Sequence, residues 1–158
     1  MNVFTDGSAL NNQNKEKRIG GIGVYFGKND NRNVSLSLDG NVTNQIAELK
    51  ACIVALKKCN TNNELNIYTD SRYVIGCMTL WITKWIQNDW KKYDGGEIKN
   101  IDLIKELYSL VKSRKKNVNF HHVKAHTKKP TDAQKFIIWE GNLMADKLAT
   151  DAAKSIGS

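Results

Sequence analysis

The spacing of apolar residues changes once along this 158-residue chain, and that change constrains its fold more than any other feature. Over the first third, apolar side chains fall in short runs at residues 2–5, 20–26 (GGIGVYF) and 34–38 (VSLSL). Turn-forming sequences follow the first two, Asp6-Gly7-Ser8 and Lys28-Asn29-Asp30-Asn31. Three strands joined in this way predict an antiparallel meander. Helical spacing then takes over, with Ile46, Leu49, Ile53 and Leu56 on one face behind Thr43 and Asn44 as capping residues. Residues 65–69 read as a further strand, 73–87 as a helix broken near Thr79, and 101–112 as an amphipathic helix. Residues 118–123 make a last strand and 143–154 a last helix. The order β-β-β-α-β-α-α-β-α predicts an α/β fold in which helices pack on a mixed sheet. The length suits one domain spanning residues 1–158.

Composition removes several classes of function. Hydrophobic residues make up 41% and charged residues 25% of the chain, which supports a packed core and argues against disorder. The longest apolar stretches, 19–26 and 51–56, fall well short of the ~20 residues a membrane span needs. The amino terminus lacks the basic-then-apolar pattern of a secretory signal, so an intracellular location, cytoplasmic or nuclear, is expected. Cys52, Cys59 and Cys77 include no CxxC pair and predict neither a disulfide framework nor a zinc site. Cys52 and Cys59, on one helix, read as small core residues. Against 16 Asp+Glu stand 24 Lys+Arg, and the net charge of +8 favours a polyanionic partner, nucleic acid or an anionic membrane surface.

The acids narrow that choice. Asp6 follows the first strand and Asp70 the fourth, so both carboxylates leave one rim if those strands are neighbours. Glu48 lies outside the apolar arc of its helix, and Asp146 shares a helix face with Asn142, four residues earlier. Taken singly, Asp6 and Asp70 read as turn or capping residues and Glu48 as a solvated one. Gathered together, they would repel one another unless cations sat between them, and hard oxygen ligands suit Mg²⁺ or Mn²⁺. Spacing alone does not gather them; a fold must.

Five segments carry a resemblance that supplies the fold. Thr5-Asp6-Gly7-Ser8, Thr43-Asn44-Gln45-Ile46-Ala47-Glu48-Leu49, Thr69-Asp70-Ser71-Arg72-Tyr73-Val74, His122-Val123-Lys124-Ala125-His126 and Gly141-Asn142-Leu143-Met144-Ala145-Asp146 resemble, in order, the motifs of type 1 ribonuclease H. The resemblance covers residues 2–153. It implies a ribonuclease H-like fold with a five-stranded mixed sheet, three antiparallel strands and two more parallel to the first. The implied activity is endonucleolytic hydrolysis of the RNA strand of RNA–DNA hybrids by a two-metal-ion mechanism, leaving 5′-phosphate and 3′-hydroxyl ends.

By the same resemblance, Asp6, Glu48, Asp70 and Asp146 hold two Mg²⁺ ions, with Mn²⁺ able to substitute. His126 matches a loop histidine that assists proton movement or product release. His121 and His122 point to opposite faces of their strand and read as structural. Asn12 and Asn44 match positions that contact the RNA strand, whose 2′-hydroxyls suit amide side chains. Thr43 and Asn100 match a pocket for a DNA phosphate, whose third member falls at Asn41. Trp85 matches an aromatic that packs on DNA sugars, within a protrusion running from Trp81 to Lys92. Ile86 and Gln87 stand there where relatives often carry lysines, which predicts a weaker grip, with Lys84, Lys91 and Lys92 in partial compensation. Residues 127–140 make the loop after His126 about ten residues longer than usual, with Phe136-Ile137-Ile138-Trp139 as an apolar plug.

The expected partner is an RNA–DNA hybrid bound by a monomer, with no membrane and no obligate protein partner. Residues 107–131 contain no Asp or Glu, and Lys112, Arg114, Lys115, Lys116, Lys124, Lys128 and Lys129 read as one approach surface for it. Two competing readings are a nuclease of the same fold acting on DNA and a module that binds hybrids without cutting. The TNQIAEL helix (residues 43–49), the protrusion and the HVKAH segment argue against the first. All four acids argue against the second, because a pure binder gains nothing from negative charge where phosphate must sit.

Overall fold

A computed structural model describes residues 1–10, 18–60 and 62–156 of the chain. Strands β1 (Asn2–Leu10), β2 (Ile19–Tyr25) and β3 (Val34–Leu38) form the meander, and β4 (Leu65–Thr69) and β5 (Val118–His122) add to it beyond β1. The five lie in the order β3-β2-β1-β4-β5. Pairing is antiparallel between β1 and β2 and between β2 and β3. It is parallel between β1 and β4 and between β4 and β5. The expected fold, three antiparallel strands with two parallel to the first, is the one observed.

Helices cover both faces. Helix α1 (Asn44–Lys58) starts where Thr43 Oγ1 accepts the Ile46 N–H at 3.1 Å. It buries Leu49, Cys52, Ile53 and Leu56 against Val3, Val24, Leu65 and Ile67 of the sheet. On the other face, α5 (Ala133–Ile156) lays Ala145 against Phe4 and Tyr25. Alternation along β1 therefore sends Val3 and Thr5 towards α1 and Phe4 and Asp6 towards α5. The three cysteines are free buried thiols, and Cys52 and Cys59 lie in the core as expected. No helix among the described residues is long and apolar enough to cross a membrane.

Two elements, β1 and α5, differ from their sequence reading. β1 does not end at Thr5 but runs through Asp6-Gly7-Ser8 to Leu10, paired residue for residue with β2. Its glycine serves a close approach rather than a turn. Residues 72–87 form one interrupted helical segment: α2 (Arg72–Gly76), a π-helical turn (Cys77–Trp81) and α3 (Ile82–Gln87). The expected break near Thr79 is this turn, where the Thr79 hydroxyl donates to the Ile75 carbonyl at 2.6 Å. α4 (Ile101–Lys112) matches its predicted bounds. α5, by contrast, starts ten residues before the predicted 143, so most of the long loop after His126 is helix. Asp132 explains this start. Its Oδ1 accepts the Lys135 N–H at 3.0 Å and its carbonyl the Phe136 N–H at 2.8 Å, capping the first turn.

Candidate active site

Asp6 and Asp70 reach one rim through strand register. β1 and β4 run parallel with Phe4 opposite Tyr68, so each aspartate lies two residues further along its own strand, on the face covered by α5. The two rings stack at 5.0 Å below them. Asp146 arrives because β2 offers α5 a flat bed. A Cβ on Gly23, the residue paired with Asp6, would lie 2.1 Å from the Ala145 carbonyl oxygen, so helix backbone rests directly on strand backbone beside Asp6. Glu48 arrives from the opposite face by the same device. A Cβ on Gly7 would meet the Ala47 carbonyl carbon and the Glu48 nitrogen, both at 2.4 Å. Glu48 then turns towards β4, and its Oε2 accepts the Ser71 hydroxyl at 2.6 Å. Ser71 also caps α2, accepting the Val74 N–H at 3.1 Å, so one hydroxyl fixes both the helix start and the carboxylate.

The electrostatics follow from this crowding. Asp6 is only 6% exposed. Burial, the neighbouring Asp70 and a hydrogen bond with Asp146 push its carboxyl up to about 9, against the opposing Gly7 N–H at 2.8 Å. Burial and the charge of Asp146 raise Asp70, which His122 and His126 partly offset. Burial raises Glu48, against the Ser71 hydroxyl. The protein has thus gathered more negative charge than its own groups neutralise. Among the described residues no three His, Cys, Asp or Glu side chains are drawn closely enough together to hold an ion as they stand. The donor set nevertheless fits a hard divalent cation, being all carboxylate oxygen and short of positive charge.

His126 stands at this rim with a left-handed backbone (φ 56°), in a loop after β5. It lines a small cavity with Asp70, Lys124, Asn142 and Asp146. Asn142 is buried there, and its Oδ1 accepts no hydrogen bond. The other two histidines do lie on opposite faces. His121 stacks on Tyr68 at 4.7 Å and bonds Asn66 Oδ1 through Nε2 at 3.0 Å. His122 lies beside Trp81 and Tyr73.

The residues expected to bind substrate are spread along the same rim and beyond it. Asn44 Oδ1 accepts the Ala9 N–H at 3.0 Å, tying the start of α1 to the end of β1. Asn100, also left-handed (φ 60°), donates to the Tyr73 hydroxyl at 3.1 Å. Thr43 spends its hydroxyl on the α1 cap. Trp85 is half-buried, 6.0 Å from Trp81 and packed against the main core. Asn12 lies outside the described residues.

The basic run is divided by the fold. Lys112, Lys115 and Lys116 precede β5, while Lys124, Lys128 and Lys129 follow it, and β5 separates the two groups by about 16 Å along the sheet at about 3.3 Å per residue. Arg114 belongs to neither, being buried with Nη2 donating to the carbonyls of Asn60 and Asn63 at 2.9 and 2.8 Å. Of these lysines, Lys124 lines the cavity that holds Asp70 and Asp146. Sequence reading also passed over the helix–sheet role of Gly7 and Gly23, and over Ser71 as the partner of Glu48.

Comparison with known proteins places this arrangement. The family described as RNase H matches residues 1–154, and the chain belongs to the ribonuclease H family. Within it the chain is a type 1 domain, as its curated relatives indicate. Ribonuclease H of Schizosaccharomyces pombe is 41% identical over 152 residues, covering 96% of this chain and 52% of that protein. Human Ribonuclease H1 is 36% identical, covering 96% and 49%. The chain thus spans about half the length of these two relatives. Ribonuclease H of Orientia tsutsugamushi is 34% identical, covering 96% of this chain and 80% of its own. Among solved structures, the foamy viral protease-reverse transcriptase in complex with RNA/DNA hybrid superposes with a TM-score of 0.76 at 26% identity, covering 98% of this chain and 20% of that one. LC9-RNase H1, described as a type 1 RNase H with the type 2 active-site motif, gives 0.73 at 27%, covering 98% and 72%.

Proposed function

We propose that this domain hydrolyses the RNA strand of RNA–DNA hybrids endonucleolytically, with divalent cations held by Asp6, Glu48, Asp70 and Asp146. The observation that carries this reading is four carboxylates from β1, α1, β4 and α5 brought to one rim, where burial and mutual repulsion raise Asp6, Asp70 and Glu48. A binding module gains nothing from such a cluster. Two Mg²⁺ ions, replaceable by Mn²⁺, suit the donor set, and the chemistry they supply is activation of water and stabilisation of charge on the leaving 3′ oxygen. The products on this reading carry 5′-phosphate and 3′-hydroxyl ends. His126, beside Asp70, serves proton movement or product release. Asn44 and the adjoining β1 backbone face the RNA strand, and Thr43, Asn100 and Trp85 hold the DNA strand. The foamy viral relative's hybrid complex supports the choice of substrate.

Hybrid, duplex DNA and duplex RNA of one sequence, incubated with Mg²⁺ and analysed on denaturing gels, test the reading. Cleavage of the RNA within the hybrid alone, abolished by chelator and by Asp70→Asn, is expected. Equal cutting of duplex DNA, or intact activity in the variant, would overturn it.

The exposed Ile86, at a position where the resemblance implies lysine, predicts a gain of function. Ile86→Lys adds one phosphate contact at the protrusion, so KM for the hybrid should fall about three- to fivefold at low salt and its salt dependence should steepen by about one ion. Steady-state kinetics at two salt concentrations check this, and an unchanged salt slope would show that this position does not face the phosphates.

A further inference from the structure

We propose that Trp139 is a positioning residue for His126, and that the first two turns of α5 are the rigid arm that carries it. The proposal rests on the hybrid-cleaving reading of the site. His126 occupies a left-handed backbone conformation (φ 56°) that a non-glycine residue adopts at a cost of about 1 kcal/mol or more, so surrounding contacts must hold it. Residues 123–132 form no helix or strand, only a turn at Ala125-His126, so regular secondary structure does not hold this conformation. A side chain reaches in from the helix instead. Trp139 Nε1–H donates to the carbonyl of Thr127, the residue next to His126, at 2.9 Å. That bond fixes the Thr127–Lys128 peptide, the second beyond the histidine. Trp139, Thr127 and His126 line the same cavity of about 60 Å³ as Asp70, Asn142 and Asp146.

The arm is itself secured from several directions. Asp132 caps its first turn. The Phe136 ring lies 5.6 Å from Trp139, and Lys129 Nζ sits 5.4 Å from the Phe136 ring centre, so the loop returns onto the helix that holds it. Ile138 packs against the Phe4, Tyr25 and Ala145 cluster on the sheet. The segment 136–139, expected as an apolar plug in a loop, thus lies in the first turns of α5. One of its apolar residues docks the helix on the sheet, and its tryptophan spends its single donor on the loop that bears the histidine.

Trp139→Phe keeps the ring and removes the donor. At saturating hybrid, kcat should fall about tenfold, the worth of one hydrogen bond of about 1.4 kcal/mol, while KM stays within about twofold. His126→Ala should mimic the loss, and the double variant should be no slower than His126→Ala alone, because the tryptophan acts through the histidine. A second readout needs neither substrate nor metal. Trypsin should cut after Lys124 and Lys128 several times faster in Trp139→Phe than in the wild type, well below a thermal midpoint that stays within about 3 °C. Wild-type kcat and wild-type trypsin resistance in Trp139→Phe would overturn the proposal, and so would an undiminished effect of that substitution in the His126→Ala background. A wild-type protein that cuts no hybrid would instead refute the function assigned to the site, and the trypsin comparison would still decide whether the tether exists.

Discussion

Asp6→Asn should lower hybrid cleavage by at least about 10³-fold and, at the same time, raise the thermal midpoint of the metal-free protein at alkaline pH. On the proposed function, the first effect follows from removing a carboxylate that would hold the divalent cations. The second follows from the titration of the same group. In the fold, burial and the carboxylates of Asp70 and Asp146 hold the Asp6 carboxyl up to about 9, whereas its ordinary value is 3.8. Below about pH 4 the group is protonated in both folded and unfolded chains and costs nothing. Above that, the unfolded chain releases the proton first, so the metal-free fold loses stability as pH rises towards 9, by up to about 1.4 kcal/mol per pH unit. Asparagine cannot ionise, and its amide oxygen can still accept the Gly7 N–H. In EDTA the wild-type midpoint should therefore decline between pH 5 and 9, while the variant's profile is flatter and several degrees higher at pH 8. Added Mg²⁺ should stabilise the wild type more than the variant. Scanning calorimetry across this pH range checks the claim; a variant less stable than the wild type at pH 8 would contradict the description of Asp6 as an uncompensated buried acid.

This conflict between folding and function explains what could be read from the sequence. The sheet was legible, because alternation, turn residues and the later change to helical spacing are local signals that survive in the fold. The convergence of the acids was not legible from spacing. Asp6 and Asp70 are 64 residues apart in sequence, and only the parallel pairing of β1 with β4 makes them neighbours. The resemblance of five segments to one family supplied that pairing, and the structure brings the four acids to one rim. Where the reading failed, a local signal was outweighed by a tertiary one. Asp6-Gly7-Ser8 has turn composition, yet its glycine serves contact with α1 and the strand continues. The early start of α5 had a signal, since Asp132 caps at Lys135 and Phe136, Trp139 and Leu143 fall at helical spacing. A loop expectation drawn from relatives concealed it. The basic run read as one surface because sequence distance hides a strand that carries the chain from one end of the sheet to the other.

Gly23→Ala should be among the most damaging glycine substitutions in the fold. The added Cβ would lie 2.1 Å from the Ala145 carbonyl oxygen, 2.7 Å from the Ala149 nitrogen and 2.9 Å from the Leu148 Cβ. Two of these are helix backbone, which cannot step aside as a flexible side chain can, so α5 must lift from β2 or the strand must bend. A cost of about 3 kcal/mol is expected, read as a fall of roughly 6–12 °C in the thermal midpoint. The helix that lifts carries Asp146 beside Ala145, so the fourth carboxylate moves away from Asp6 with it. Cleavage measured well below the variant's midpoint should then fall at least about tenfold, since positioning errors near 1 Å weigh heavily on reactions of this kind. Gly96→Ala is the control, because its Cβ would meet only flexible side chains, Asp94 at 3.0 Å and Lys92 at 3.7 Å, and both stability and activity should stay near wild type. A Gly23→Ala variant that unfolds early yet cuts normally at low temperature would separate the two roles of α5, leaving it a packing element whose exact seat on β2 does not govern the site. Loss of activity in a fully folded variant would instead tie the geometry of the carboxylates to the absence of one methyl group on β2.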